Sequence, residues 1–271
     1  MRINYKIFLV ALFAFLSLAF AKDENKLETL KVGAVPTPHA ELLRLIAPDL
    51  AKQGYKLEVF EFTDGITPNL NTDSGDLDAN FFQHLPFLEE VNHSKGTKLV
   101  SVANIHIEPM GVYSSKHKKD EVIKQGKFSP AKNSTIALPN NPTNENRALR
   151  ILEEAGLIKL KNDSEVATIL DIVENPLNLK FIEIKDAQLI RSLEDVDYAV
   201  INGNFAIMAK LKPTKDALLL ESKYSPYANI VVVRAGNENT AKTKALIKAL
   251  KSKKVKDYIN SHFDGGVIPV F

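Results

Sequence analysis

From residue 30 to the C-terminus, short Val- and Ile-rich runs alternate with stretches whose apolar residues recur every three or four positions, and the series runs twice. "LKVGAV" (30–35) reads as a strand, and Pro36-Thr37-Pro38 breaks it. "HAELLRLIAPDLAKQG" then carries apolar residues at 42, 43, 45, 46 and 50 before Gly54, a helical stripe with an end signal. Pro48 inside that stripe predicts a kink or a break. "KLEVFEF" (56–62), residues 77–81 and "KLVSVANIHIEPMGVYS" (98–114) read as further strands. After a basic stretch from Lys116 to Lys127 the second round begins. It has a strand at 134–140 and a helix with its stripe at 148, 149, 151, 152 and 155, ended by Gly156. Strands at 179–184, 197–201 and 228–234 follow, and one or two basic helices close the chain. Strands alternating with helices predict an α/β fold. The architecture expected is two lobes joined by two crossover segments, near Val112–Ser115 and Tyr227–Val231. Lobe 1 takes residues 22–112 plus 229–271, and lobe 2 takes 113–228. One large doubly wound domain satisfies the same alternation.

The first 21 residues follow a different pattern. Arg2 and Lys6 precede an apolar run from Ile7 to Phe20 that closes on Ala19-Phe20-Ala21, the order of a secretory signal peptide. At about 14 residues the run falls short of the roughly 20 that span a bilayer. An uncleaved N-terminal anchor is the alternative. Removing residues 1–21 takes two of the 35 basic residues and none of the 33 acids, leaving 33 against 33. The electrostatic footprint of nucleic-acid binding is therefore missing. The chain has no cysteine, which excludes disulfides, thiol catalysis, thiolate metal sites and a lipid carried on an N-terminal cysteine. The expectation is an exported, periplasmic protein, soluble after signal cleavage.

In open α/β sheets ligands gather at the carboxyl ends of strands, beside helix N-termini. Four such places carry unusual residues: Phe81-Phe82-Gln83-His84, the segment 139–144 with Arg147 beyond it, Asn202-Gly203-Asn204, and "YSPYAN" ending at Asn229. A guanidinium near a helix start is a poor match to the helix dipole and a good match to an anionic ligand held there. On spacing alone Arg147 fits equally well a surface ion pair with Glu145 or Glu154. Asn202 and Asn229 offer paired acceptors and donors for an ammonium and a carboxylate oxygen, or are turn and cap asparagines. Phe82 and His84 fit the wall of a mixed pocket; Phe81 reads as core.

Neither a metal site nor a cofactor is expected. His84, His93, His106 and His117 share no helical spacing, and Asp73, Asp76 and Asp78 lack the rest of a calcium loop. G-x-S-x-G, P-loop and G-x-G-x-x-G motifs are missing, and no nucleophile is assembled with a base, so an enzyme is not expected.

Five blocks in order carry a resemblance: "DLDANFFQHLPFLEE", "IALPNNPTNENRALRILEEAGLIKL", "LDIVENPLNLKFIEI", "AQLIRSLEDVDYAVINGNFA" and "ESKYSPYANIVVVR". Together they resemble the NlpA/MetQ family, methionine-binding receptors of ABC importers. The resemblance implies a type II periplasmic binding fold whose two lobes close on an amino acid. It implies that Arg147 holds the substrate carboxylate, that Asn202 and Asn229 hold the backbone ammonium and carboxylate, and that Phe82 and His84 line the side-chain pocket. It implies a membrane permease with its ATPase as partners and a monomeric receptor. Three departures stand out. Lys22 replaces the lipidated cysteine usual in the family. "FTDGITPN" has Gly65 where many members have a tyrosine beside the methionine thioether. Glu108 precedes Pro109 where some have an aromatic. Losing a ring removes a sulfur–aromatic contact of about 0.3–1.5 kcal/mol and opens space, which suits a longer ligand such as a methionine-containing dipeptide. Phe62 is one ring that would compensate. Glu108 would favour a polar or cationic group, so Gly65, Glu108 and Asn144 are the expected specificity positions. The other functions open to such a chain are a non-transporting surface antigen or adhesin of the same fold, and a metal-ion receptor.

Overall fold

The structure, a computed structural model, describes residues 27–161, 166–222 and 226–271. The predicted signal peptide lies outside them.

The chain builds two mixed sheets. The first holds β1 (Glu28–Ala34), β2 (Tyr55–Glu61), β3 (Ala79–His84) and β4 (Leu99–Ile107), and the second begins with β5 (Gly111–Tyr113). To that second sheet the chain adds β6 (Thr135–Pro139), β7 (Lys180–Ile184), β8 (Tyr198–Ile201) and β9 (Leu219–Leu220). It then returns to the first sheet with β10 (Ala228–Arg234) and β11 (Ile268–Pro269). The orders are β11-β4-β10-β3-β1-β2 and β7-β6-β8-β5-β9. In each sheet the parallel strands come from successive strand–helix units (β2-β1-β3 and β7-β6-β8). The returning strands pair antiparallel: β10 with β3 and β4, and β5 with β8 and β9.

Helix α1 (Glu41–Ala51) buries Leu42, Leu43, Ile46 and Leu50, the spacing of one helical face, and runs through Pro48 without a break. These side chains pack on Leu30, Val32, Ala79 and Phe81 of the first sheet. Each such fully buried residue contributes about 1.5–3 kcal/mol of transfer free energy. α2 (Thr67–Ser74) and α3 (Leu85–Lys95) follow, each ended by a glycine in the left-handed region, Gly75 and Gly96. In the second half α4 (Pro142–Glu154) lays Ala148, Leu149 and Leu152 on Ile136 and Leu138. α5 (Gly203–Met208) follows β8, and α6 (Ala241–Leu250) and α7 (Lys253–His262) close the chain, separated at the Ser252 cap.

The long strand expected over 98–114 is two strands. β4 stops at Ile107, Glu108-Pro109-Met110 passes between the sheets, and β5 starts at Gly111 in the second. Pro109 has no N–H for a ladder. The first passage thus lies at 108–110, ahead of the Val112–Ser115 crossover expected, and Val112 pairs with Val200 and Leu219 of the second sheet. The chain returns between Leu220 and Ala228.

Candidate functional site

Between the sheets lies a cavity of about 460 Å³, within the roughly 300–1,000 Å³ usual for small-molecule sites. Gly65, Phe82 and Asn229 reach it from the first half, Arg147 and Asn202 from the second, and Glu108 from the passage between them. His84 and Asn144, two other predicted site residues, do not line it.

β3 aims its aromatics by a slip in register. Gln83 pairs with Ile230 and Phe81 with Val231, so Phe82 is left over as a bulge residue. Phe81 is fully buried in the core, while Phe82 turns to the cavity. Gln83 ties into a buried amide network: its Nε2 donates to Asn69 Oδ1 (2.6 Å) and Asn80 Oδ1 (2.8 Å), and Asn69 Nδ2 donates back to Gln83 Oε1 (3.0 Å). That network clamps α2 on β3. The two rings and two polar side chains at this strand end therefore divide between core, clamp and cavity.

Phe87, one turn into α3, covers Gly65. A Cβ at Gly65 would meet Phe87 Cζ at 2.8 Å and Phe82 Cε2 at 3.6 Å. Phe62, one ring that could have compensated, lies against Gly33. A ring is thus supplied at the cavity wall by a residue that sequence reading passed over, because only the fold brings 65 and 87 together.

Arg147 is buried, and its partner is neither Glu145 nor Glu154. Its Nε and Nη2 donate to the two carboxylate oxygens of Glu221 (2.9 and 2.5 Å), and Nη2 also donates to the Glu108 carbonyl (2.9 Å). Glu221 Oε2 accepts the Met110 N–H (3.0 Å), and the guanidinium carbon lies 4.6 Å from the centre of the Tyr227 ring. The guanidinium therefore staples both passages between the sheets while presenting an edge to the cavity.

Asn202 is the N-cap residue of α5, yet its side chain makes no capping bond, and its buried Oδ1 has no hydrogen-bond partner. Gly203 beside it is required by contact: a Cβ there would lie 2.9 Å from the Pro109 carbonyl oxygen and 3.0 Å from Glu108 Cβ. Asn229, buried at the start of β10, accepts from His39 Nε2 (3.0 Å). Glu108 is buried as well. His106 Nε2 lies 2.5 Å from its Oε1 and His39 Nε2 lies 3.3 Å away, and the Asn204 N–H also donates to the carboxylate. Burial holds His39 down to about 4 and His106 to about 3, so both imidazoles are neutral at pH 7. Burial pushes the Glu108 carboxyl up, against the pull of His39 and Arg147.

His84 acts behind the wall. Its Nδ1 accepts the Phe87 N–H at the start of α3 (3.2 Å), which leaves Nε2–H to donate to Asn144 Oδ1 (3.1 Å). Asn144 Nδ2 in turn donates to Asp186 Oδ2 (2.6 Å). The chain runs from β3 to α4 and so crosses between the halves, as does Asn141 Nδ2 to Glu90 Oε2 (3.3 Å).

Among the described residues one trio has the spacing of metal ligands: atoms of His39, His106 and Glu108 lie within 4.8 Å of one another. Nothing local in the sequence pairs His39 with His106, since 66 residues and two strands separate them. A ligating histidine donates its other N–H to an acceptor, and the buried Nδ1 of His106 has none. The set fits a carboxylate held by the His106 N–H, with His39 beside it bonded to Asn229, better than it fits an ion.

The model of the NlpA lipoprotein family matches residues 30–271. The chain belongs to the NlpA lipoprotein family. The methionine-binding lipoprotein MetQ of Bacillus subtilis is 41% identical over 253 residues, covering 91% of this chain and 90% of that protein. A nutrient-binding protein from Burkholderia cenocepacia, solved bound to methionine, is 44% identical with a TM-score of 0.83, covering 89% and 100% of the two chains. A periplasmic substrate-binding protein of an ABC transporter from Coxiella burnetii is 41% identical with a TM-score of 0.82, covering 89% and 100%. The two-lobed fold expected of an NlpA member is the one observed. No helix among the described residues is long and apolar enough to cross a membrane.

Proposed function

We propose that this NlpA protein is the substrate-binding protein of an ABC importer and takes an α-amino acid, methionine or a methionine-containing dipeptide, into the cavity between its halves. The observation that carries the reading is that one cavity draws a guanidinium, two asparagines, a carboxylate and an aromatic wall from both sheets and the passage between them. The free edge of Arg147 and the amide of Asn229 bind the ligand carboxylate, Asn202 Oδ1 accepts from its ammonium, and Phe82 with Phe87 packs on its side chain. Glu108 and Gly65 tune which ligands fit. His84 and Asn144 serve closure rather than contact: their bond forms as the halves come together.

The halves turn about residues 108–110, where the chain first passes between the sheets. A ligand favours the closed form only by its extra affinity for that form, and closure strengthens each polar contact by excluding water. The closed receptor, exported and monomeric, then delivers its cargo to a membrane permease driven by an ATPase. Methionine named in relatives at about 40% identity supports this ligand class. A thermal-shift screen over the amino acids and methionine dipeptides tests it: the true ligand raises the melting temperature, since it binds the native state alone. A flat response across all of them rejects an amino acid receptor.

A further inference from the structure

We infer that Glu221 is a positioning residue for the ligand carboxylate: it aims the Arg147 fork before a ligand arrives and takes up its charge. The carboxylate then meets a neutral pair rather than a bare cation. The inference rests on the amino acid reading above and adds to it a residue that does not line the cavity.

A guanidinium carries five N–H donors in one plane. Arg147 gives Nε–H and one Nη2–H to the two oxygens of Glu221 (2.9 and 2.5 Å), and the other Nη2–H to the Glu108 carbonyl (2.9 Å). Among the described residues none accepts from Nη1, and Arg147 lines the cavity. The two Nη1 hydrogens are therefore the edge offered to a ligand. The Tyr227 ring, 4.6 Å from Cζ, covers one face of the guanidinium. An arginine without these contacts would have to order its long side chain for each ligand it bound; here the ordering is already done.

Glu221 is itself fixed by the second sheet. β9 and β5 pair Leu220 with Gly111, and the next two residues continue the ladder. Glu221 N–H donates to the Met110 carbonyl (2.9 Å), and Met110 N–H donates to Glu221 Oε2 (3.0 Å). Arg147 comes from α4, which packs on that same sheet. The fork is thus built within the second half, and its aim does not wait for the first half to close. The two side chains are 3% and 6% exposed, and buried charges are screened least. Left alone, the guanidinium would draw any anion that fits the cavity. Paired with Glu221, it offers directed donors at zero net charge.

Two measurements test this. In the unaltered, ligand-free full chain the Arg147 Nε–H is expected to give a discrete NMR signal that exchanges slowly with water, assigned by its loss in Arg147→Lys. An Nε–H that exchanges as fast as those of surface arginines until methionine is added overturns the inference, since the ligand would then be forming the fork. Calorimetry compares L-methionine, a zwitterion, with 4-(methylthio)butanoate, the same chain as a net anion. Glu221→Asp keeps the charge and shortens the reach, so both ligands are expected to weaken together, by about 10-fold. Glu221→Gln keeps the reach and removes the charge. The anion is then expected to gain about 10- to 50-fold relative to L-methionine, the effect of one unit charge about 7 Å away at an effective dielectric constant of about 20. A ratio of the two affinities that stays the same in Glu221→Gln overturns the inference, and so do unchanged affinities in Glu221→Asp. If neither variant folds, the exchange of the Arg147 Nε–H decides alone. Silence from every amino acid and dipeptide sinks the amino acid reading, and the Nε–H still reports whether the fork is preformed.

Discussion

Arg147 and Glu221 form a two-pronged ion pair, both side chains at most 6% exposed, although 74 residues separate them. Cutting one partner from such a pair leaves a buried charge unmatched, which costs about 3–5 kcal/mol. Arg147→Ala is therefore expected to lower stability by that order in urea melts, besides weakening ligand binding by about 2–4 kcal/mol. Arg147→Lys cannot reproduce the fork and is expected to fall between. A melting curve unchanged in Arg147→Ala would show that Glu221 finds another partner.

The Phe87 ring over Gly65 makes a coupled pair. Gly65→Ala forces a Cβ to 2.8 Å from the ring and should displace it. Phe87→Ala removes the ring and should weaken methionine binding by about 1–2 kcal/mol, from the lost sulfur–aromatic contact and apolar area. In the double variant the clash has gone, so the two losses should add to less than their sum. Strict additivity in calorimetry would place the ring away from the ligand.

His84 joins the halves through Asn144 without lining the cavity. His84→Ala removes one buried hydrogen bond of the closed form and is expected to cost about 0.5–1.5 kcal/mol of affinity, equally for every ligand. Small-angle scattering should then show a larger radius of gyration at subsaturating ligand. A loss that depends on which ligand is used would return His84 to direct contact.

Stability should fall in mild acid. Burial lowers His39 and His84 to about 4 and His106 to about 3, against about 6.5 in the unfolded chain. Across that window the unfolded chain binds more protons, so stability rises with pH. The histidine contribution is complete above about 6.5 and is lost as pH falls toward 4, at up to about 1.4 kcal/mol per pH unit for each. Glu108, Glu145 and Asp186, raised by burial, work in the opposite direction, since the native state holds their protons more tightly. The unfolded value of histidine lies inside the pH 5–7 window and that of a carboxylate below it, so the three histidines decide the sign and leave a net loss. The melting temperature should be lower at pH 5 than at pH 7, and His84→Gln should flatten the slope. An equal or higher value at pH 5 would show that the acids dominate.

The alternation of strands and helices, the α1 and α4 stripes and the capping glycines could all be read from the chain, because each depends on neighbours a few residues away. The family resemblance rested on ordered local blocks and survived for the same reason. Six of the eight positions singled out in the sequence do line one cavity. What each does there was a matter of tertiary structure. The bulge at Phe82, the Phe87 ring over Gly65, Glu221 behind Arg147 and the His39–Glu108–His106 trio all join residues from separate strands, helices or passages. Partners of that kind are chosen by how two sheets face each other, and a side chain's burial and charge state follow from that facing. A single residue's type records what it can bond to, and only the packed fold decides which of those bonds is already made and which is left open to a ligand.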